Sequence, residues 1–105
     1  MVRGDVCSIT LPRRRGRVQH GRRYAVIVQA DDLLALATVV ICPTSTSTAS
    51  ASFHPEIAVG DERTRVMCEM VGAVDAGALG DPIAHLTLDE MRSVDDALLL
   101  VLGLH

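Results

Sequence analysis

The chain has 105 residues, 49% of them apolar, and a net charge of −3, which makes it a globular chain of about one domain's size rather than a disordered one. A core of that size needs neither disulfides nor metal to fold. With no tryptophan, one tyrosine and one phenylalanine, base stacking on aromatic side chains is excluded as a main binding mode.

In chain order, residues 5–11 (DVCSITL) alternate as a first strand, ended by Pro12 and the arginines behind it. Residues 23–30 (RYAVIVQA) are β-rich and nearly continuous, which predicts a central, well-buried strand. Asp31 and Asp32 break it, and the following DLLALA predicts a single helical turn. Residues 38–43 (TVVICP) form a third strand, with Pro43 removing a ladder donor and marking its end. Residues 44–52 (TSTSTASAS) read as a flexible surface loop. Residues 54–59 and 64–71 are two more strands around the turn at 60–62. Residues 74–86 hold turn residues around at most one short strand.

The last element is the clearest. Thr87 and Glu90 form a T-x-x-E capping box, and Leu88, Met91, Val94, Leu98 and Val101 recur on one apolar helix face that Gly103 ends. The chain is therefore mainly β, an antiparallel, strongly twisted sheet or small barrel of five or six strands, with a C-terminal helix over one end.

Residues 1–30 carry seven arginines and one acid, whereas residues 31–105 carry three arginines and twelve acids, and there is no lysine. An arginine patch on an acidic body is a local surface for phosphate or carboxylate. Cysteines 7, 42 and 68 are odd in number and lack C-x-x-C spacing, so they read as small buried residues of a reducing compartment. The histidines at 20, 54, 85 and 105 lack metal-ligand spacing, so no metal site is expected. His20, inside the arginine cluster, reads either as a base near neutral pH or as an exposed loop histidine; His54 and His85 read as structural. No signal peptide, membrane run or lipidation motif is visible, and a cytoplasmic protein is expected. Arg23 stands at the mouth of the buried strand, and the hydroxyl run begins where the next strand ends. If those ends meet, Arg23 facing a hydroxyl is a phosphoryl-transfer pair; otherwise Arg23 pairs with Asp31, Asp32 or Glu69 on the surface.

Four stretches in order, MVRGDVCSITLP, GRVQHGRRYAVIVQADD, TVVICPTS and LTLDEMRSVDDALLLVLGL, resemble the MazF/PemK-type toxins of toxin–antitoxin systems. The resemblance covers nearly the whole chain, read as one domain over residues 1–105. It implies an SH3-like small barrel (MazF/CcdB-like, mainly β with a minor α part) that forms a homodimer. It implies a sequence-selective endoribonuclease, independent of metal and of any cofactor. The substrate would be single-stranded or loop RNA (mRNA, rRNA or tRNA), and cleavage would inhibit translation and growth. The RNA's own 2′-OH attacks, leaving a 2′,3′-cyclic phosphate and a 5′-OH.

The family's catalytic arginine falls on Arg23 and its catalytic hydroxyl on Ser45, with Thr44 and Thr46 the alternatives. Arg13, Arg14, Arg15, Arg17, Gln19, His20 and Arg22 would grip RNA. A cognate MazE-like antitoxin would lay a disordered tail in the RNA groove; no membrane is implied, and no DNA except through the antitoxin. Arg3, Gly4 and Asp5 match the opening motif as structural residues. Val18, Met70 and Gly72 stand where many relatives carry Glu, Gln and Arg. Two alternatives stand beside this reading. One is a non-catalytic RNA-binding module of the same shape. The other is a CcdB-like gyrase-binding toxin, a type that uses a tryptophan near the chain end, which this chain lacks.

Overall fold

A computed structural model describes residues 1–10 and 23–104. Seven strands, β1 (Asp5–Ile9), β2 (Tyr24–Ile27), β3 (Thr38–Ser45), β4 (Glu56–Val59), β5 (Glu62–Val66), β6 (Gly72–Asp75) and β7 (Leu79–His85), precede one helix, α1 (Leu88–Leu102). The sheet runs β4-β5-β3-β2-β1-β7, with β6 also paired to β3, and every pairing is antiparallel. The result is a mainly β half-barrel with one C-terminal helix, as expected. The expected turn after Ala30 is a 3-10 turn at Asp31–Leu33.

Three expectations about strands are corrected. The strand expected over residues 64–71 is β5, which begins at Glu62 and ends at Val66, and Cys68–Met70 form a 3-10 turn instead. β3 does not stop at Pro43 but runs on to Ser45. Pro43 has no N–H to give, yet its carbonyl still accepts Met67 N–H at 2.8 Å. There the strand changes neighbours: Ile41 to Pro43 pair with β2, whereas Thr44 and Ser45 pair with Val66 and Arg65 of β5. The start of the hydroxyl run is thus strand, not loop. Residues 74–86 hold the end of β6 and all of β7, so the described residues form seven strands rather than five or six. Gly80 and Pro82 disguise β7. It lies at the end of the sheet, where proline is tolerated, and its register with β1 shifts on both sides of Cys7. A Cβ at Gly80 would run into Ser8 Oγ.

β2 is buried along its whole length because both faces are covered. Tyr24 and Val26 face a cluster with Val6, Cys42, Ile57, Val66, Cys68 and Leu86, which α1 closes with Val94 and Ala97. Ala25 and Ile27 face a second cluster with Cys7, Ile9, Val39 and Ile41. All three cysteines are buried and unpaired, as expected.

Helix α1 has its capping box: Glu90 N–H donates to Thr87 Oγ1 at 3.1 Å and Thr87 N–H to Glu90 Oε1 at 2.9 Å. Glu90 Oε2 also accepts Ala58 N–H at 2.9 Å, which ties the helix start to β4. Gly103 ends the helix in the left-handed region at φ 68°. Leu88 has the spacing of the apolar face, but at the first helical position it is 69% exposed; Ala97 is buried although it lies outside that spacing.

Candidate active site

Because β2 and β3 are neighbours, Ala25 lies opposite Pro43, and the start of one strand meets the end of the other. Arg23 immediately precedes β2. Its carbonyl accepts Ile9 N–H at 3.2 Å, which fixes the backbone from which its side chain leaves. Arg23 Nη1 donates to Thr44 O at 3.4 Å, a long bond. Among the described residues, no carboxylate lies within ion-pair distance of Arg23. Asp31 accepts Arg3 N–H at 2.6 Å, and Glu69 is held by His54 at 2.6 Å, so the alternative surface pairing with those acids is not formed.

Arg23, Ser45 and Thr46 line one polar pocket of about 60 Å³, with Tyr24, Thr44, Ser47, Glu62 and Thr64. The three candidate hydroxyls are not equivalent. Thr44 is 2% exposed and its Oγ1 donates to Tyr24 O at 3.3 Å, so it works for the fold. Ser45 is half-buried at the strand end. Its Oγ accepts Ser47 N–H at 3.2 Å and lies 3.3 Å from Ser47 Oγ. That N–H holds the oxygen in place while leaving the hydroxyl proton able to turn toward a ligand. Thr46 is exposed.

Glu62 and Thr64 were not singled out in the sequence. They reach the pocket because β5 pairs with β3, and no local pattern signals that pairing. Arg13, Arg14, Arg15, Arg17, Gln19, His20 and Arg22, all expected to contact RNA, lie outside the described residues.

The opening motif is structural, as read. Arg3 donates from Nε to Val28 O at 2.8 Å and from Nη2 to Asp95 at 2.7 Å. Gly4 sits at φ 92°, where a Cβ would meet His85 Cε1 at 3.1 Å and Met91 Sδ at 3.2 Å, so only glycine fits. Asp5 accepts Val2 N–H at 2.8 Å and His85 Nδ1–H at 2.9 Å. Burial pushes the Asp5 carboxyl up, but these two bonds and the charge of His85 outweigh it and hold its pKa below the usual value. Arg3 and Asp95 also border an apolar groove with Leu98, Leu99, Leu102 and Leu104. Arg3 Nε and Nη2 are already engaged there by Val28 O and Asp95. Among the described residues, no group of three or more His, Cys, Asp or Glu is arranged to hold a metal ion. Among those same residues, no helix is long and apolar enough to cross a membrane.

Residues 2–102 match the family described as the PemK-like, MazF-like toxin of type II toxin–antitoxin systems. A protein of Mycobacterium tuberculosis strain H37Rv, Rv3098A, named as a candidate toxin, is 34% identical over 106 residues, spanning 99% of each chain. Among solved structures, an endoribonuclease from a Mycobacterial species in complex with its cognate antitoxin superposes with a TM-score of 0.79. It is 23% identical and covers 100% of this chain and 97% of its own. The MazE–MazF complex of Deinococcus radiodurans gives a TM-score of 0.81 at 17% identity, covering 100% of this chain and 97% of its own. At these identities the two structures speak for the fold; the family match and the curated relative, each spanning nearly the whole chain, speak for descent. The chain belongs to the PemK-like, MazF-like toxins of type II toxin–antitoxin systems.

Proposed function

We propose that the chain is an endoribonuclease toxin that cleaves RNA at the Arg23–Ser45 pocket and is silenced by a cognate antitoxin. One observation carries the reading: an arginine without a carboxylate partner among the described residues and a half-buried serine line the same small polar pocket. Nucleophile and leaving group both belong to the RNA. The 2′-oxygen bonds to the adjacent phosphorus, the bond to the 5′-oxygen breaks, and a proton passes from the attacking to the leaving side. A 2′,3′-cyclic phosphate and a 5′-OH result. The site's task is to stabilise the charge that builds on the non-bridging oxygens. The Arg23 fork donates to that phosphate and takes part in the proton transfer; the Ser45 hydroxyl is a second donor. No metal is required by this route.

The arginines at 13, 14, 15, 17 and 22, with Gln19 and His20, grip phosphates of single-stranded or loop RNA, since unpaired bases are the ones accessible for sequence selection. An acidic, disordered antitoxin tail competes for the same charge and folds as it binds. The solved relatives that carry antitoxins support this reading. The chain works as a homodimer, for which exposed Leu100, Leu102 and Leu104 provide apolar surface. The test is mapping of new 5′ ends after incubating the purified chain with total RNA in EDTA, beside Arg23→Ala. Discrete 5′-OH ends that the variant loses are expected and would reveal the target class. Their absence with a folded, antitoxin-free chain would leave a binding module.

A further inference from the structure

Residues 46–52, the first part of the 46–55 connection from β3 to β4, supply Thr46 and Ser47 to the pocket wall, yet they form no strand or helix. The segment is tied down instead by a histidine beyond its end. His54 is 6% exposed. Its Nδ1 lies 2.7 Å from Ala49 O and 3.4 Å from Thr48 Oγ1, and its Nε2 lies 2.6 Å from Glu69 Oε2. Ala49 is in the middle of the segment. Glu69 is in the 3-10 turn Cys68–Met70, which is anchored by fully buried Cys68 and by Cys68 N–H donating to Phe53 O at 3.3 Å. The imidazole is a strut between that turn and the segment.

Both ring nitrogens face an acceptor at short range. A backbone carbonyl and a carboxylate have no proton to offer, and a neutral imidazole has one N–H. Only the imidazolium donates in both directions, so the strut requires the charged ring. Among the described residues, two charged groups face it: Glu69 from the 3-10 turn, and Arg65 of β5, whose Nη1 donates to His54 O at 3.0 Å. Burial works against the charge and so does Arg65. The bonds to Ala49 O and Glu69, with the charge of Glu69, outweigh them, and the ring's pKa is raised above 6.5.

We propose that His54, protonated and paired with Glu69, is a positioning residue that holds the Ser/Thr segment against the Arg23 pocket, so that segment order and RNA cleavage are lost together when His54 gives up its proton. The cleavage half rests on the function proposed above; the segment half does not. The folded pKa lies above the unfolded one. The strut therefore contributes fully below the unfolded value, near 6.5, and is lost as pH rises through the raised folded value.

The experiment is backbone hydrogen exchange of residues 46–51 in the full chain, from about pH 6 to about pH 9, beside the His54 ring titration followed by nitrogen shifts. After correction for intrinsic base catalysis, protection should fall roughly tenfold or more in a single step that coincides with the ring titration. His54→Gln should lack the step and exchange fast throughout. If that variant fails to fold, Glu69→Gln replaces it, and ring titration and exchange step should move down together. In the cleavage assay, kcat/KM of the wild type should fall through the same step while that of His54→Gln stays flat across it. Protection independent of pH, a neutral ring at about pH 6, or an unchanged step in the variants would overturn the proposal. So would cleavage that ignores the step. Exchange and titration need no RNA, so a chain that cleaves nothing would sink the function proposed above while this strut is still judged on exchange.

Discussion

Arg3 and Arg23 each stand just ahead of a strand, and the fold uses them in opposite ways. Arg3 turns its donors inward. Nε reaches Val28 O at 2.8 Å, Nη2 reaches Asp95 at 2.7 Å, and its backbone N–H reaches Asp31 at 2.6 Å. It ties helix α1 to the end of β2. Among the described residues, the Arg23 side chain makes one long bond, at 3.4 Å, and it lines a polar pocket. An arginine whose donors are engaged holds the fold. One that finds no carboxylate among the described residues, on a backbone fixed by Ile9 and in a pocket shared with a serine, suits the proposed role of meeting a charge that arrives from outside. The proposed site rests on this difference more than on the number of arginines.

The comparison can be broken most severely at Arg23. Arg23→Ala should lower kcat/KM for RNA by about 10²–10³, ~2.7–4 kcal/mol, with a melting temperature close to wild type. A large loss of stability would mean that Arg23 is another Arg3. Ser45→Ala should cost about 1.5–3 kcal/mol of transition-state stabilisation, the usual range for a hydrogen bond to a charged group, read from single-turnover cleavage. Arg3→Ala should show the reverse of Arg23→Ala. With its side chain 30% exposed and that of Asp95 44% exposed, the pair is partly screened, and unfolding in denaturant should lose about 1–2 kcal/mol while the cleavage step survives. Thr44→Val should lose about 1 kcal/mol of stability, by removing a buried bond to Tyr24 O, and leave the chemical rate unchanged. The smallest effect belongs to Asp5. Its folded pKa is depressed, so its contribution is present above the unfolded value of 3.8 and is lost as pH falls through the lower folded value. Asp5→Asn should flatten that part of the acid-unfolding curve.

Much of this is legible in the sequence. Arg23 and Ser45 were matched through the family motifs, and the structure brings both into one pocket. The motif favours Ser45 over Thr44 but leaves Thr44 as the alternative if the register slips, and only the structure shows that the strand turns Thr44 into the core. The stop placed at Pro43 assumed that a missing donor ends a strand. The proline carbonyl still pairs, and the strand passes to a new neighbour instead. β7 was hidden by Gly80 and Pro82, which read as turn residues unless the strand is known to lie at a sheet end. His54 was read as structural. Its partner Glu69 is fifteen residues away, and only the close packing of the 3-10 turn against the segment reveals the pair.

The sequence by itself determined the local structure: the capped helix and its glycine stop, the doubly buried β2, and membership of the toxin family. These depend on periodicity, backbone sterics and short motifs, all carried by neighbouring residues. The tertiary structure alone decided that Thr44 turns its hydroxyl to Tyr24 O while Ser45 stays half-buried, that Glu62 and Thr64 share the Arg23 pocket, and that His54 bridges Ala49 O and Glu69 beside it. Those depend on strand register and on contacts between residues far apart in the chain, where a slip of one residue exchanges the two faces of a strand.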